Sequence, residues 1–297
     1  MNRKPLVSVI IATYRREESL RNAITSVINQ TYDNIEIVLI DDNAEIEWNK
    51  KVRTIVDSLE KPVNYILNEI NLGSAETRNK GISNAHGEYI TFLDDDDIYL
   101  PEKIESQVFA MKNSNSDYSI TDLKLVNEKG KISEIRSRKY LYTEEGENLR
   151  VCHLKYHMTG TDTMMFKKQY LIKINSFESI DVGDEFYLMM KAIDNGGSFL
   201  YVPKCDVLAV VHTGEGGLSS GESKIHGENA LFQYKKQYFE GLNHKDIRYI
   251  KMRHYAVLAF AYLRAGKMVK FLINGIIAFL CSPIQCLSLL IERRRNE

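Results

Sequence analysis

Tyr89-Ile90-Thr91-Phe92-Leu93-Asp94-Asp95-Asp96-Asp97 is the stretch that decides how this chain folds. Its first half is β-prone and nearly all apolar, as a strand buried on both faces should be, and its second half is the acidic end of that strand. Working outward, the preceding residues repeat the same alternation. Val7-Ser8-Val9-Ile10-Ile11-Ala12-Thr13, Ile35 to Ile40 and Val63 to Leu67 read as three earlier strands. Glu17 to Gln30 places Leu20, Ala23, Ile24, Val27 and Ile28 at helical spacing, and Trp48 to Leu59 and Ala75 to Ala85 also read as helices. Pro101 suits the first turn of the next helix. Strands alternating with helices imply right-handed crossovers and an α/β, Rossmann-like, mainly parallel sheet with helices on both faces. Such sheets bind ligands beyond the carboxyl ends of their strands. Asp41 and Asp42 end the second strand, Asn71-Leu72-Gly73 follows the third, and Asp94 to Asp97 end the fourth. These groups should meet on one rim.

Composition narrows the function. With 39 Lys plus Arg against 40 Asp plus Glu, the net charge of −1 gives no basic field for nucleic acid. Hydrophobic residues at 44% and charged residues at 27% exclude wholesale disorder over the 297 residues. Cys152, Cys205, Cys281 and Cys286 form no Cys-x-x-Cys pair, which argues against structural zinc and against a secreted disulfide framework. The first residues lack a signal peptide's apolar stretch and cleavage site, so a cytosolic, reducing setting is expected.

The acidic run carries the chemistry. Adjacent carboxylates repel and need a cation or several donors. In an extended segment Asp94 and Asp96 point the same way, and two such oxygens suit a hard divalent ion that keeps other positions for phosphate and water. The simpler account is an acidic turn capping the helix after Leu100. Further on, Leu123 to Ile135 reads as a hairpin around Asn127-Glu128-Lys129-Gly130, Arg136 to Arg150 as a polar loop, Thr163 to Phe166 as a short strand and Gly183 to Asp194 as a helix. Phe199 to Val211 is strand-like, Gly214 to Gly221 a glycine- and serine-rich loop, and Ser223 onward helical.

Phe271 to Ile291 is an uncharged run of about twenty residues, long enough to span a bilayer, but Asn274, Gly275, Pro283 and Gln285 interrupt it. Arg264, Lys267 and Lys270 flank one side and Arg293-Arg294-Arg295 the other. A broken helix lying in a membrane interface fits this pattern better than a span or than a buried core or dimer helix. The reading therefore divides the chain into residues 1–100, 101–221 and a membrane-associating helical tail over 222–297, with 264–297 as the membrane surface. A homodimer stays open.

Taken together, these segments resemble the GT-A glycosyltransferases of family 2. Val7 to Tyr14 looks like their opening strand, and Ser26-Val27-Ile28-Asn29-Gln30-Thr31-Tyr32 their first-helix signature. Val38-Leu39-Ile40-Asp41-Asp42-Asn43 is similar to their uridine-binding turn, and Asn71-Leu72-Gly73 with Thr77-Arg78-Asn79-Lys80-Gly81 to their Asn-x-Gly and Ala-Arg-Asn-x-Gly segment. Gly87 to Asp97 resembles their metal motif. The likeness is good to about residue 100, moderate to about 215 and absent beyond.

The resemblance implies roles. Tyr14 would stack on uracil, Asp42 would accept its N3–H with Asp41 nearby, and Ala12, Asn71, Gly73 and Asp95 would complete the nucleotide site. Arg78 would sit near the diphosphate or brace the acidic turn. Asp94 would face ribose or metal, and Asp96 would bind Mn²⁺ or Mg²⁺ directly, joined by His212 before a small-residue loop. Thr159, Gly160 and Thr161, in the segment Thr159-Gly160-Thr161-Asp162, would line the acceptor pocket. Asp184 is the implied base, with Glu185 in reserve because the family's Glu-Asp order is reversed here. Simple helix capping is the competing account of Asp184. The implied reaction is inverting transfer from a nucleotide-sugar, most simply a UDP-sugar, to a glycan or polyprenyl-linked acceptor at the inner face of the plasma membrane in surface-polysaccharide synthesis. The alternatives are a sugar nucleotidyltransferase, disfavoured because residues 12 to 19 hold no glycine, a phosphatase with an early nucleophilic Asp, where Ala12-Thr13-Tyr14 stands instead, and a non-catalytic membrane scaffold.

Overall fold

The computed structural model describes residues 3–143, 147–180, 182–211 and 221–296. The expected alternation is present as β1 (Val7–Thr13), α1 (Glu18–Ile28), β2 (Ile35–Asp41), α2 (Ile46–Asp57), β3 (Asn64–Leu67), α3 (Ser74–Asn84) and β4 (Tyr89–Phe92). After the acidic run come β5 (Ile98–Tyr99), α4 (Lys103–Ser114), β6 (Tyr118–Thr121) and the hairpin β7 (Leu123–Asn127) and β8 (Ile132–Arg136). Next are α5 (Glu147–Tyr156), β9 (Met164–Lys167), α6 (Lys168–Lys173), α7 (Asp184–Asp194), β10 (Phe199–Val202) and β11 (Val207–Val211). The chain closes with α8 (Gly221–Lys236), α9 (His244–Arg264), α10 (Met268–Cys281) and α11 (Pro283–Asn296).

The described residues fall into two compact units. One takes those within Met1–Gly146, Thr159–Ile180 and Asp184–Val211, and the other those within Glu147–Met158, Asp181–Gly183 and His212–Glu297. In the first unit a seven-stranded sheet runs β10-β6-β9-β4-β1-β2-β3. Its pairings are parallel except at β9, which lies antiparallel between β4 and β6. Because β9 opposes β4, with Thr91 facing Met165, the residues just before β9 lie at the acidic end of β4. A second sheet, β5-β11-β7-β8, flanks the acidic turn through the pairing of Leu208 with Ile98.

Packing fixes where the site helices sit. Val7, Val9 and Ile11 on β1 share one core with Leu20, Ala23, Ile24 and Val27 of α1. On the opposite side α3 lies directly on the sheet. A Cβ at Gly81 would come within 2.5 Å of Ile10 Cγ2 and 3.4 Å of Ile40 Cγ1, so only glycine allows that approach. One turn earlier on the same helix is Arg78.

Two expectations change. Arg136 to Arg150 is not one irregular loop, because α5 begins within it at Glu147. Phe199 to Val211 is two strands rather than one. Pro203 cannot donate to a ladder, so the run breaks there, and β10 and β11 join different sheets.

In the second unit the apolar run Phe271 to Ile291 is divided between α10 and α11 at Ser282. Among the described residues no helix is long and apolar enough to cross a membrane. Ala278 and Cys286 pack with Met252 of α9. The rest of α10 turns outward, with Val269, Leu272, Ile276 and Leu280 all more than half exposed.

Candidate active site

The four carboxylates that end β4 take four different sets of partners. Asp94 accepts from Arg78 Nη2 at 2.7 Å. Asp95 Oδ2 accepts from the Thr13 hydroxyl at 2.7 Å and the Tyr14 amide at 3.0 Å, which ties the acidic turn to the end of β1. Asp96 accepts from Arg16 Nη2 at 2.8 Å, and Asp97 from the Val210 amide on β11 at 2.8 Å. A fifth carboxylate joins them, since Asp162, just before β9, accepts from the Asp94 amide at 2.7 Å.

This crowding moves protons. Burial, and secondarily the charge of Asp96, push Asp95 up to about 7. Burial also raises Asp162 to about 7, with Asp94 adding to it, and raises Asp97 well above the carboxylate range, where it hydrogen-bonds Asp162. A buried carboxylate with a raised folded-state value costs stability at high pH, and that cost fades as pH falls through the folded value. Asparagine at position 95 can still accept from Thr13 and Tyr14 without the charge. Asp95→Asn should therefore be more stable than the native chain at pH 8, by on the order of a few kcal/mol, and should lose most of that advantage by pH 5. Urea unfolding in EDTA at both pH values measures this, and an advantage independent of pH would remove charge as its cause.

Asp94, Asp97 and Asp162 bring ligand oxygens within 4.8 Å of one another, a donor set compatible with a hard divalent cation. Asp96, paired with Arg16, is not in that group. His212 lies outside the described residues.

On the nucleotide side, Tyr14 is 44% exposed, with the Arg15 guanidinium 5.1 Å from its ring centre. Ala12 is half-buried beside it on β1. Asp41 and Asp42 are buried. Asp42 accepts from Asn68 Nδ2 at 2.7 Å, the Leu72 amide at 2.8 Å and the Gly73 amide at 3.0 Å, while Asn71 Nδ2 donates to the Asp42 carbonyl at 3.0 Å. Asp42 thereby fastens the loop before α3, where Gly73 has φ +78°. Asp41 accepts from Asn43 and from the Tyr65 hydroxyl at 2.6 Å. Both carboxylates are thus occupied from inside the protein.

Arg78 links the acidic turn to the candidate base. Its guanidinium, buried against the Phe177 ring, donates through Nη1 to Asp184 Oδ2 at 2.5 Å and through Nη2 to Asp94. Ser74 also donates to Asp184 Oδ2, at 3.3 Å, and the Glu185 amide to Asp184 Oδ1 at 2.9 Å as α7 begins. Burial pushes Asp184 up to about 6 against the pull of Arg78. Glu185 beside it is less buried. Thr159 and Thr161, expected in an acceptor pocket, are buried, and only Gly160 is partly open.

Two residues escape the sequence reading, as does the place of a third. Asp162 closes the quoted segment Thr159-Gly160-Thr161-Asp162 on the acceptor side, but only antiparallel β9 brings it to the acidic rim. Arg16 appears in the sequence merely as a charge closing an apolar run. Lys103, wholly buried, donates to the Thr91 hydroxyl at 2.6 Å and the Tyr99 hydroxyl at 2.9 Å, and burial lowers it to about 7. Tyr99 in turn donates to the carbonyls of Phe92 and Asp162, so Lys103 anchors the floor under the acidic cluster.

Residues 8–174 match the family described as Glycosyl transferase family 2. The chain belongs to that family. A glycosyltransferase of Methanocaldococcus jannaschii is 33% identical over 66% of this family 2 chain and 67% of its own length. The Escherichia coli UDP-Glc:alpha-D-GlcNAc-diphosphoundecaprenol beta-1,3-glucosyltransferase WfgD is 34% identical over 41% of this chain and 47% of its own. Among solved structures, S. aureus TarS 1-349 in complex with UDP-GlcNAc shares the fold with a TM-score of 0.58 at 17% identity, covering 93% of this chain and 91% of that one. The glycosyltransferase class and the GT-A fold are therefore established. The acidic turn lies inside the matched region, and Asp184 lies beyond it.

Proposed function

We propose that this family 2 glycosyltransferase moves a sugar from a UDP-sugar to a hydroxyl of a polyprenyl-diphosphate-linked glycan acceptor in surface-polysaccharide synthesis, with inversion. The observation that carries the reading is Arg78, whose guanidinium fixes the candidate base Asp184 against Asp94 of the acidic turn. The donor and acceptor classes are those of WfgD, a glucosyltransferase acting from UDP-Glc on alpha-D-GlcNAc-diphosphoundecaprenol, and TarS binds UDP-GlcNAc. The exposed ring of Tyr14 offers a stacking face for a base.

In this reading Asp184 accepts the proton of the acceptor hydroxyl as that oxygen bonds to the anomeric carbon. The bond from that carbon to the diphosphate breaks, and its electron pair leaves with the diphosphate. A base with a value of about 6 is largely ionised at neutral pH yet still basic enough to take the proton. Asp94, Asp97 and Asp162 would hold Mn²⁺ or Mg²⁺, with Asp96 joining once Arg16 leaves it, and the ion would supply positive charge to the leaving diphosphate.

Thermal unfolding with UDP, GDP, dTDP or CMP, with and without Mn²⁺, tests this. UDP at about 100 times its dissociation constant should add roughly 2.7 kcal/mol, and only with Mn²⁺. A shift with another nucleotide changes the donor, and no shift with any of them favours the non-catalytic scaffold.

We further propose that α10 lies on the anionic inner face of the plasma membrane. Its outward apolar residues are bordered by Arg264, Lys267 and Lys270, which complements an acidic lipid surface. Leu272→Glu with Ile276→Glu changes only exposed positions. The pair should abolish sedimentation with phosphatidylglycerol vesicles and preserve the melting temperature. Unchanged sedimentation would exclude α10 as the contact.

A further inference from the structure

Arg16 is seated on Asp96, the carboxylate to which the family resemblance assigns the metal. Its Nη2 is 2.8 Å from Asp96 Oδ2, and its Nε is 3.7 Å from Asp95 Oδ1. Asp95 is anchored to Thr13 and Tyr14 and cannot turn away. The guanidinium therefore neutralises two adjacent carboxylates that would otherwise repel. Yet the side chain is 35% exposed, on the same short segment as the open Tyr14 ring. Such a side chain can leave without opening the core, unlike Arg78.

We propose that Arg16 is a resident counter-cation that holds Asp96 until donor and metal arrive together. This rests on the cation and nucleotide reading above. A divalent ion on Asp96 and a guanidinium on the same carboxylate repel each other, so binding of one expels the other. Once displaced, a planar fork with five donors matches the oxygens of a diphosphate better than it matches solvent. Nucleotide therefore draws Arg16 off Asp96 and strengthens metal binding. Linkage requires the reverse as well, so metal strengthens nucleotide binding by the same factor. The metal-free enzyme avoids paying for two bare carboxylates, and metal without nucleotide binds weakly.

The test is Mn²⁺ affinity of the full chain, read from the electron paramagnetic resonance signal of free Mn²⁺, with and without UDP. Arg16→Gln should bind Mn²⁺ at least fivefold more tightly than the native chain without UDP. UDP should improve Mn²⁺ affinity of the native chain several-fold and that of the variant much less. Arg16→Lys, which keeps a cation, should stay near the native values. Equal or weaker Mn²⁺ binding by a folded Arg16→Gln, checked by near-ultraviolet circular dichroism, overturns the proposal and makes Arg16 a plain structural tie. If the native chain binds no Mn²⁺ even with UDP, the cation reading falls, and the inference with it.

Discussion

Asp184→Asn should cut sugar transfer by roughly 10²- to 10⁴-fold, the range a general base supplies, while UDP affinity stays within about twofold. The amide keeps the shape of the side chain, but its single oxygen can accept from Arg78 Nη1 or from the Glu185 amide, not from both as the two carboxylate oxygens do. It cannot take a proton. In the native enzyme kcat/KM should rise with pH through about 6, because the carboxylate must be ionised. The variant's residual rate should lack that limb. Transfer and UDP binding measured on the same preparation separate the cases. Full activity would move the role to Glu185, and a joint loss of transfer and UDP binding would make Asp184 a structural partner of Arg78.

Arg78→Met should be the most destabilising of these changes. It removes a buried cation from between Asp94 and Asp184 while keeping much of the side-chain volume. Breaking such a pair from one side typically costs about 3–5 kcal/mol, because the remaining charge is left without compensation. The cost depends on pH, and its sign follows from the carboxylates. Without Arg78 the folded-state value of Asp184 climbs further above the unfolded one, so the penalty is full above that value and fades as pH falls through it. Urea unfolding should show a large loss at pH 8 and a clearly smaller one at pH 5.5. An equal loss at both would assign the effect to packing on the Phe177 ring instead of charge.

The first half of the fold is legible because its signals are local. Val7 to Thr13, Ile35 to Asp41 and Tyr89 to Phe92 each declare a buried strand, and their acidic ends declare the rim. What the sequence conceals depends on pairings between distant residues. Tyr118-Ser119-Ile120-Thr121 is too short to reveal a strand, and nothing in Met164 to Lys167 says that it runs against its neighbours. Asp162 owes its place to that reversal, which is why the segment Thr159-Gly160-Thr161-Asp162 reads as acceptor lining and not as part of the acidic cluster. Lys103 was hidden differently. A lysine among polar helix residues reads as solvated until burial under the acidic cluster is seen. Asp41 and Asp42 were recognised as an acidic turn, but sequence cannot tell an outward carboxylate from one already bonded to the loops around it.

The reversed strand also sets a timetable for synthesis. β9 separates β4 from β6, so the outer side of β4 has no sheet partner until residue 167 has been made, 75 residues after Phe92. At the usual elongation rate of about 5–20 residues per second, that is a delay of roughly 4–15 s. Through it a nascent chain carries an apolar strand with a bare edge, the surface most prone to pairing with a stranger. The stretch richest in recognisable motifs is thus not a self-sufficient folding unit. A ribosome that stalls before β9 would release a chain suited to a chaperone or a protease, not to catalysis.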